Sequence, residues 1–248
     1  MINIVIPMAG EGSRFKEQGY TFPKPLVEIN GKPMIQMVVE NITPKMEHRF
    51  TFVCNAGHLE KYSLAYMLNR ISPQCNIVSV EKLTQGAACT VLLAADHFNN
   101  DNELLIANSD QFIDMDINIF LEDSKRQKLD GNIVTFHSSH PKWSYAKVGK
   151  NGFVEQVAEK KPISDDATAG VYYYREGKAF IDAAFSMIEK DIRVNNEFYV
   201  CPVFNEMILN GKKIGIMPIE SSNMHGLGTP EDLAEFLKNK VSSKYESR

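Results

Sequence analysis

The sequence predicts an α/β fold three layers deep, in which a mainly parallel sheet is covered by helices on both faces. Three observations predict it. Short apolar, β-branched runs alternate with segments whose apolar residues recur at helical spacing, the pattern of strands joined by crossover helices. Beyond Asp130 the texture shifts toward hairpins, which adds an antiparallel part and makes the sheet mixed. The chain has 248 residues, of which 44% are hydrophobic and 23% charged, an ordinary composition for a globular domain that can bury a sizeable core.

The elements follow in order. Residues 2–7, Ile-Asn-Ile-Val-Ile-Pro, form a short β-branched run of the kind that makes a buried strand. Further strands are expected over 50–54, 76–80 and 103–107. Between them, Pro33 suits the first turn of a helix over 33–42, and residues 59–71 carry apolar side chains at helical spacing. The segments 146–148 and 153–155 flank Asn151-Gly152, a strong hairpin signal. A strand over 167–174 follows, then helices over 176–190 and 197–210 and a strand over 213–219. Thr229-Pro230-Glu231-Asp232 announces a last helix, with Leu233, Phe236 and Leu237 on one side. Residues 241–248 read as a flexible tail. No repeat, low-complexity stretch or linker interrupts residues 1–240, so they read as one domain whose halves meet near residue 130.

Charge and composition exclude several classes. A net charge of −4 argues against a nucleic-acid surface, which needs an extended basic face, so any anionic ligand must meet a local basic cluster. Cys54, Cys75, Cys89 and Cys201 show no metal-site spacing and read as reduced thiols. No charged-then-apolar leader opens the chain, and no apolar run approaches the ~20 residues that span a bilayer. The expectation is a cytoplasmic protein without a membrane partner; a homo-oligomer is compatible with the sequence.

Chemistry first shows itself just after the first strand, in Met8-Ala9-Gly10-Glu11-Gly12-Ser13-Arg14-Phe15. Gly10 and Gly12 let the backbone approach a ligand, small Ala9 and Ser13 keep that approach open, and the freed N–H groups can point at phosphate oxygens. Ten positions after Arg14 comes Lys24, in Pro23-Lys24-Pro25-Leu26. A guanidinium can fork across two oxygens while an ammonium acts as a mobile point charge, which suits a polyphosphate whose charge shifts during reaction. Rival phosphate loops are absent. A dinucleotide fingerprint needs a third glycine where Phe15 stands, and no G-K-[ST] occurs. A second cluster, Leu104-Leu105-Ile106-Ala107-Asn108-Ser109-Asp110, ends a buried strand in an aspartate on the rim of the sheet, where open α/β sheets bind ligands. Magnesium prefers one or two carboxylates plus phosphate oxygens and water, so Asp110 is the candidate metal residue and Mg²⁺ the expected cofactor.

The run G-x-G-[ST]-R-[LF] followed by P-K-P-L, with its arginine-to-lysine spacing, resembles the signature of the sugar-phosphate nucleotidyltransferases. That resemblance implies a Rossmann-like, GT-A-like nucleotidyltransferase fold and two substrates, a nucleoside triphosphate and a phosphorylated small-molecule acceptor, most simply a sugar 1-phosphate. Nucleotide binding would then fall to Met8, Ala9, Gly10, Gly12, Ser13 and Ser109. Base contact would fall to Gln85 and Gly86, in the loop Leu83-Thr84-Gln85-Gly86-Ala87-Ala88. Catalysis would rest on Arg14, Lys24 and Asp110. The acceptor would meet the later half of the chain. Glu159-Lys160-Lys161-Pro162 resembles the family's E-K-P segment, in which the glutamate binds sugar hydroxyls and the lysine the sugar phosphate. Gly170, Tyr145, Ala146 and Glu197 match further acceptor positions. The implied product is a nucleotide-activated sugar of the kind used in surface polysaccharide synthesis.

One departure stands out. Many relatives carry a second metal aspartate just before a late Gly-Thr, but here the stretch is Met224-His225-Gly226-Leu227-Gly228-Thr229, with Gly226 at that place. His225 is a neighbouring candidate for metal or phosphate, and Asp232 reads as half of a capping pair. Two other classes remain open: a glycosyltransferase using Asp114-Met115-Asp116 as a D-x-D metal motif, and a non-catalytic nucleotide sensor. A cytidylyltransferase acting on a non-sugar phosphate is the variant nearest to the leading reading.

Overall fold

A computed structural model describes residues 1–243. Its strands, in chain order, are β1 (Ile2–Met8), β2 (Glu28–Ile29), β3 (Lys32–Pro33), β4 (His48–Asn55), β5 (Asn76–Val80), β6 (Glu103–Ala107) and β7 (Gln111–Ile113). They continue with β8 (Gly131–His137), β9 (Ser144–Val148), β10 (Val154–Glu159), β11 (Asp166–Tyr174), β12 (Ile214–Ile219) and β13 (Met224–Gly226). Nine of these make one sheet in the order β10-β9-β11-β6-β1-β4-β5, with β8 branching from β11 and β12 from β8. Strands β5, β4, β1 and β6 run parallel, and β12 is parallel to β8. Strand β11 enters antiparallel and joins this group to the hairpin of β9 and β10. The sheet is therefore mixed, as the sequence predicts.

The helices are α1 (Ser13–Glu17), α2 (Met34–Ile42), α3 (Ala56–Lys61), α4 (Leu64–Ile71), α5 (Ala87–Leu92) and α6 (Ile117–Arg126). After them come α7 (Gly177–Glu189), α8 (Val203–Leu209), α9 (Pro230–Lys238) and α10 (Lys240–Ser243). The expected tail thus starts within a short helix, and its remainder, residues 244–248, lies outside the described residues.

Two cores sandwich the sheet because strand side chains alternate between faces. In β1, Ile2, Ile4, Ile6 and Met8 enter the core that also holds Phe50, Phe52 and Tyr173, whereas Val5 enters the other, with Leu104, Tyr174 and Phe204. The Tyr174 and Phe204 rings stack at 4.7 Å between centroids. A third cluster unites Phe15, Met34, Phe112, Leu227 and Phe236, which docks α1, α2 and α9 beside the β7–β13 pair.

Three elements differ from expectation. The helix over 59–71 is two helices, because Ser63 adopts the left-handed conformation (φ 50°) between α3 and α4. The helix over 197–210 begins only at Val203, behind Pro202, whose missing N–H and fixed φ suit a helix start. Residues 197–202 instead form a strap: Phe198 N–H donates to Gln85 O at 2.8 Å, and Ala88 N–H donates to Phe198 O at 2.9 Å. Strand β8 was not anticipated. Its opening Gly131-Asn132 and its buried polar Asn132 and Thr135 obscure the apolar pattern, although Asn132 finds the Ser124 hydroxyl at 2.9 Å.

Phe204 is fully buried against Tyr174. Phe204→Ala should lower the free energy of unfolding by about 3–5 kcal/mol, read from the urea midpoint; a loss under about 1 kcal/mol would show that this core is not the main support of the later half.

Candidate functional site

Two adjoining cavities open at the C-terminal ends of β1 and β6, of about 230 and 440 Å³, with Ala87 in the wall of both. Open α/β sheets bind ligands at this edge because successive βα loops diverge there. In the chain order β1, β4, β5, β6 the strands step outward from β1 and then return to its other side, so β1 and β6 flank the switch.

The smaller cavity is made by the turn after β1. Met8, Ala9, Gly10 and Gly12 line it, opposed by Lys24, Gly86 and Ser109. The two loop glycines do different work. Gly12 has φ +63°, and a Cβ there would meet Lys24 Cβ at 3.1 Å, so the loop is wrapped tightly onto the lysine. Gly10 has open space around its would-be Cβ, so nothing in the protein demands a glycine at this position. Gly86 has φ +119° and sits so close to the strap that a Cβ would lie 2.5 Å from Phe198 O.

Lys24 Nζ donates to Asp110 Oδ2 at 2.9 Å, joining the smaller cavity's wall to that of the larger. Asp110 is fixed by its own backbone, since its carbonyl accepts from Leu227 N–H at 2.8 Å. Beyond it, a Cβ on Gly228 would come within 2.9 Å of Asp110 Oδ2, so the absence of a side chain at 228 keeps the carboxylate's outer side clear.

The larger cavity takes Arg14, Asp110, Glu159 and Lys160 into one wall. Glu159 is buried and accepts from the Ser144 hydroxyl. Burial pushes its pKa above the ordinary 4.5; the Ser144 hydrogen bond and Lys160 oppose that rise, and Glu197 adds to it. Lys160, at φ 53°, donates from Nζ to the Tyr199 hydroxyl at 2.6 Å, with its ammonium 4.7 Å from that ring's centre. Burial likewise raises the Tyr199 phenol.

The structure therefore brings Met8, Ala9, Gly10, Gly12, Lys24, Gly86, Ser109, Arg14, Asp110, Glu159 and Lys160 to one two-chambered cleft. Six expectations need correction. Ser13 opens α1 and faces away from both chambers. Gln85 is exposed beside the cleft and contributes its backbone carbonyl to the strap rather than a side chain to a chamber. Tyr145 is wholly buried in the core, its hydroxyl donating to His140 O at 2.7 Å, and Ala146 is buried on the other face; Trp143 and Ser144, where β9 begins, are the residues of this segment that line the larger chamber. Gly170 sits in a β11 bulge at φ +71°, where a Cβ would lie 1.5 Å from Gln111 Oε1, so the space at this glycine is taken by the Gln111 side chain, which itself lines the larger chamber. Glu197 lines the smaller chamber rather than the larger, because the strap carries it back over the loop at residue 86. Two further candidates dissolve. His225 packs among Phe112 and Phe236 with a buried, unbonded Nε2, away from both chambers. Asp116 caps α6 through Asn118 N–H, and neither it nor Asp114 lines the cleft.

Sequence reasoning missed Lys142, Trp143 and Tyr199. Lys142 Nζ lies 4.6 Å above the Trp143 ring and donates to Asp232 Oδ1 at 3.2 Å, and all three residues line the larger chamber. Thr229 caps α9, its Oγ1 accepting from Asp232 N–H at 3.1 Å, while the Asp232 carboxylate reaches the cleft. It lies 3.6 Å from where a Gly226 Cβ would be. The adjacency of the single tryptophan to a lysine was the available signal.

Two expected outcomes follow from this geometry. Gly10→Ala should leave the melting temperature unchanged while weakening triphosphate binding at least tenfold by titration calorimetry; equal affinity would show that no ligand lies against that turn. Because the folded state raises the Glu159 pKa, its protonated form is the favoured one, and its contribution is best below pH 4.5 and is lost as pH rises through the folded value. Glu159→Gln should thus melt higher than the parent at pH 7.5, with the gap closing toward pH 4; a gap independent of pH would refute a strained carboxylate.

Comparisons with known proteins identify the family. The family model described as nucleotidyl transferase matches residues 4–238. Bifunctional protein GlmU of Aquifex aeolicus is 27% identical over 271 residues, covering 98% of this chain and 55% of that protein. GlmU of Methanococcus aeolicus is 25% identical over 184 residues, covering 72% of this chain and 41% of its own. The chain thus spans about half the length of the curated relatives it matches. Among solved structures, the nucleoside-diphosphate-sugar pyrophosphorylase from Vibrio cholerae RC9 superposes with a TM-score of 0.84 at 27% identity, covering 95% of this chain and all of that one. A UDP-glucose pyrophosphorylase complexed with UDP-glucose (TM-score 0.76, 18% identity, 100% of each chain) shares the fold. With the family's model covering nearly the whole chain and its glycine loop, lysine and rim aspartate meeting in one cleft, this protein is a member of the nucleotidyl transferase family.

Proposed function

We propose that the chain transfers a nucleoside monophosphate from a nucleoside triphosphate to a phosphorylated acceptor, most simply a sugar 1-phosphate, and releases pyrophosphate. The observation that carries this reading is the two-chambered cleft, with a glycine loop in one chamber, a buried carboxylate between lysines in the other, and the Lys24–Asp110 pair at their junction. An acceptor phosphate monoester is already largely ionised at neutral pH, its second pKa being about 6, so no general base is required to activate it. What the protein must do is align two mutually repelling anions and stabilise the charge that builds between them.

The roles follow from position. The triphosphate lies along the glycine loop with Lys24 beside its α-phosphate. Arg14, which lines the larger chamber, meets the departing pyrophosphate. Lys160, held by Tyr199, and Lys142, held by Asp232, receive the acceptor phosphate, while Glu159 accepts from its hydroxyls. Asp110 suits a magnesium ion, because the side-chain-free Gly228 leaves the carboxylate's outer side open. Among the described residues no cluster of three metal-ligating side chains exists, so Asp110 and substrate phosphates would hold the ion, whose charge would neutralise those oxygens. The acceptor's identity and a place for its product in surface polysaccharide synthesis are part of this proposal.

The deciding experiment is a pyrophosphate-release screen of CTP, UTP, dTTP and GTP against phosphorylated metabolites with Mg²⁺ present. Turnover with release of nucleoside diphosphate would instead indicate a glycosyltransferase, and tight binding without turnover a sensor. Arg14→Ala should lower kcat by about 10²–10³ with the fold intact, the typical loss for one transition-state donor; parental turnover would remove Arg14 from the mechanism. Lys142→Ala should raise the acceptor KM several-fold while leaving the triphosphate KM unchanged, and a shift in both would deny it an acceptor role.

A further inference from the structure

A third concavity, of about 930 Å³, adjoins the glycine loop and shares only Gly12 with the two substrate chambers. One wall is the segment 11–23, and the other is α3 with its flanks, from Asn55 to Tyr62. Three aromatic side chains line it. Phe22 is 55% exposed and Tyr20 38%, and Phe22 meets Tyr62 edge-on with 5.9 Å between ring centres. Lys61 Nζ stands 5.2 Å from the Tyr62 centre, and Lys16 faces the same space. Neither lysine has an ion-pair partner among the described residues. Glu11 and Glu17 also line it, so the wall is mixed in sign rather than the uniformly basic surface that a bare polyphosphate would select.

Exposed rings gathered around a concavity, with free ammonium groups beside them, match a ligand that carries a flat heteroaromatic ring and an anionic tail. We propose that this concavity is a second, non-catalytic nucleotide site, with the base against Phe22 and Tyr62 and the phosphates by Lys16 and Lys61. The site is regulatory because its walls are built from residues covalently close to the catalytic cations. Lys16 shares the five-residue α1 with Arg14, and Pro23 is bonded directly to Lys24. Phe15 anchors the same helix in the third core and stacks edge-on with Tyr20, so an occupant that moves Tyr20 moves α1. The regulatory sense rests on the activity proposed above; binding does not.

Titration calorimetry of the full chain with ATP, CTP, GTP, UTP and dTTP tests it. The expected result is two binding events for at least one nucleotide. The double variant Lys61→Ala, Tyr62→Leu should weaken one of them at least tenfold and spare the other, whereas Lys61→Arg, Tyr62→Phe should keep both, which separates loss of a site from loss of fold. Gly10→Ala should weaken only the event that the double variant spares. A single event with every nucleotide, or two events both abolished by Gly10→Ala, would overturn the proposal, the latter by showing that the concavity holds the tail of the donor molecule. One event with pyrophosphate release would leave the proposed activity standing and sink the second site. Two events without release in any acceptor screen would do the reverse.

Discussion

The 2.9 Å contact between Lys24 and Asp110 is the constraint on which the rest of the cleft depends. It joins two segments 86 residues apart, one following the first strand and one ending the sixth. Both side chains are only about a quarter exposed, so the pair is partly desolvated, yet its main effect is geometric rather than stabilising. Gly12 lies against the Lys24 side chain and Gly228 against the Asp110 carboxylate, so the glycine turn and the C-terminal turn before α9 are both registered on this pair.

What the sequence revealed divides along local and non-local lines. The parallel strands were legible because each is a continuous apolar run, and the boundaries of β5 and β6 match the expected 76–80 and 103–107. The glycine turn, Lys24 and Asp110 were legible because each function sits at a fixed offset from a strand end. Elements whose form is set by distant partners were not. Gly170 reads as a glycine that admits a ligand, but the neighbour that needs the space is the side chain of Gln111, from another strand. Residues 197–202 read as the start of the following helix, yet the backbone N–H and C=O of Phe198 are taken by the loop at 85–88. Tyr145 and Ala146 lie too far along their strand: it starts at Ser144, and Trp143 and Ser144 at its mouth are the residues that line the cleft, while the next two are buried in opposite cores.

The acceptor chamber shows how charge is placed where burial would otherwise remove it. Glu159 sits at a site that favours its neutral form, and a hydroxyl and a neighbouring lysine work against that tendency. Lys142 and Lys160 are each steadied by an aromatic ring and one oxygen, which orients them without consuming all three donors of either ammonium.

Phe198 bonds to the loop beside Gly86, and the very next side chain, Tyr199, steadies Lys160. A single peptide unit therefore separates the framework of one substrate's chamber from that of the other. A change in this short segment is therefore felt in both chambers at once, which makes their shapes interdependent.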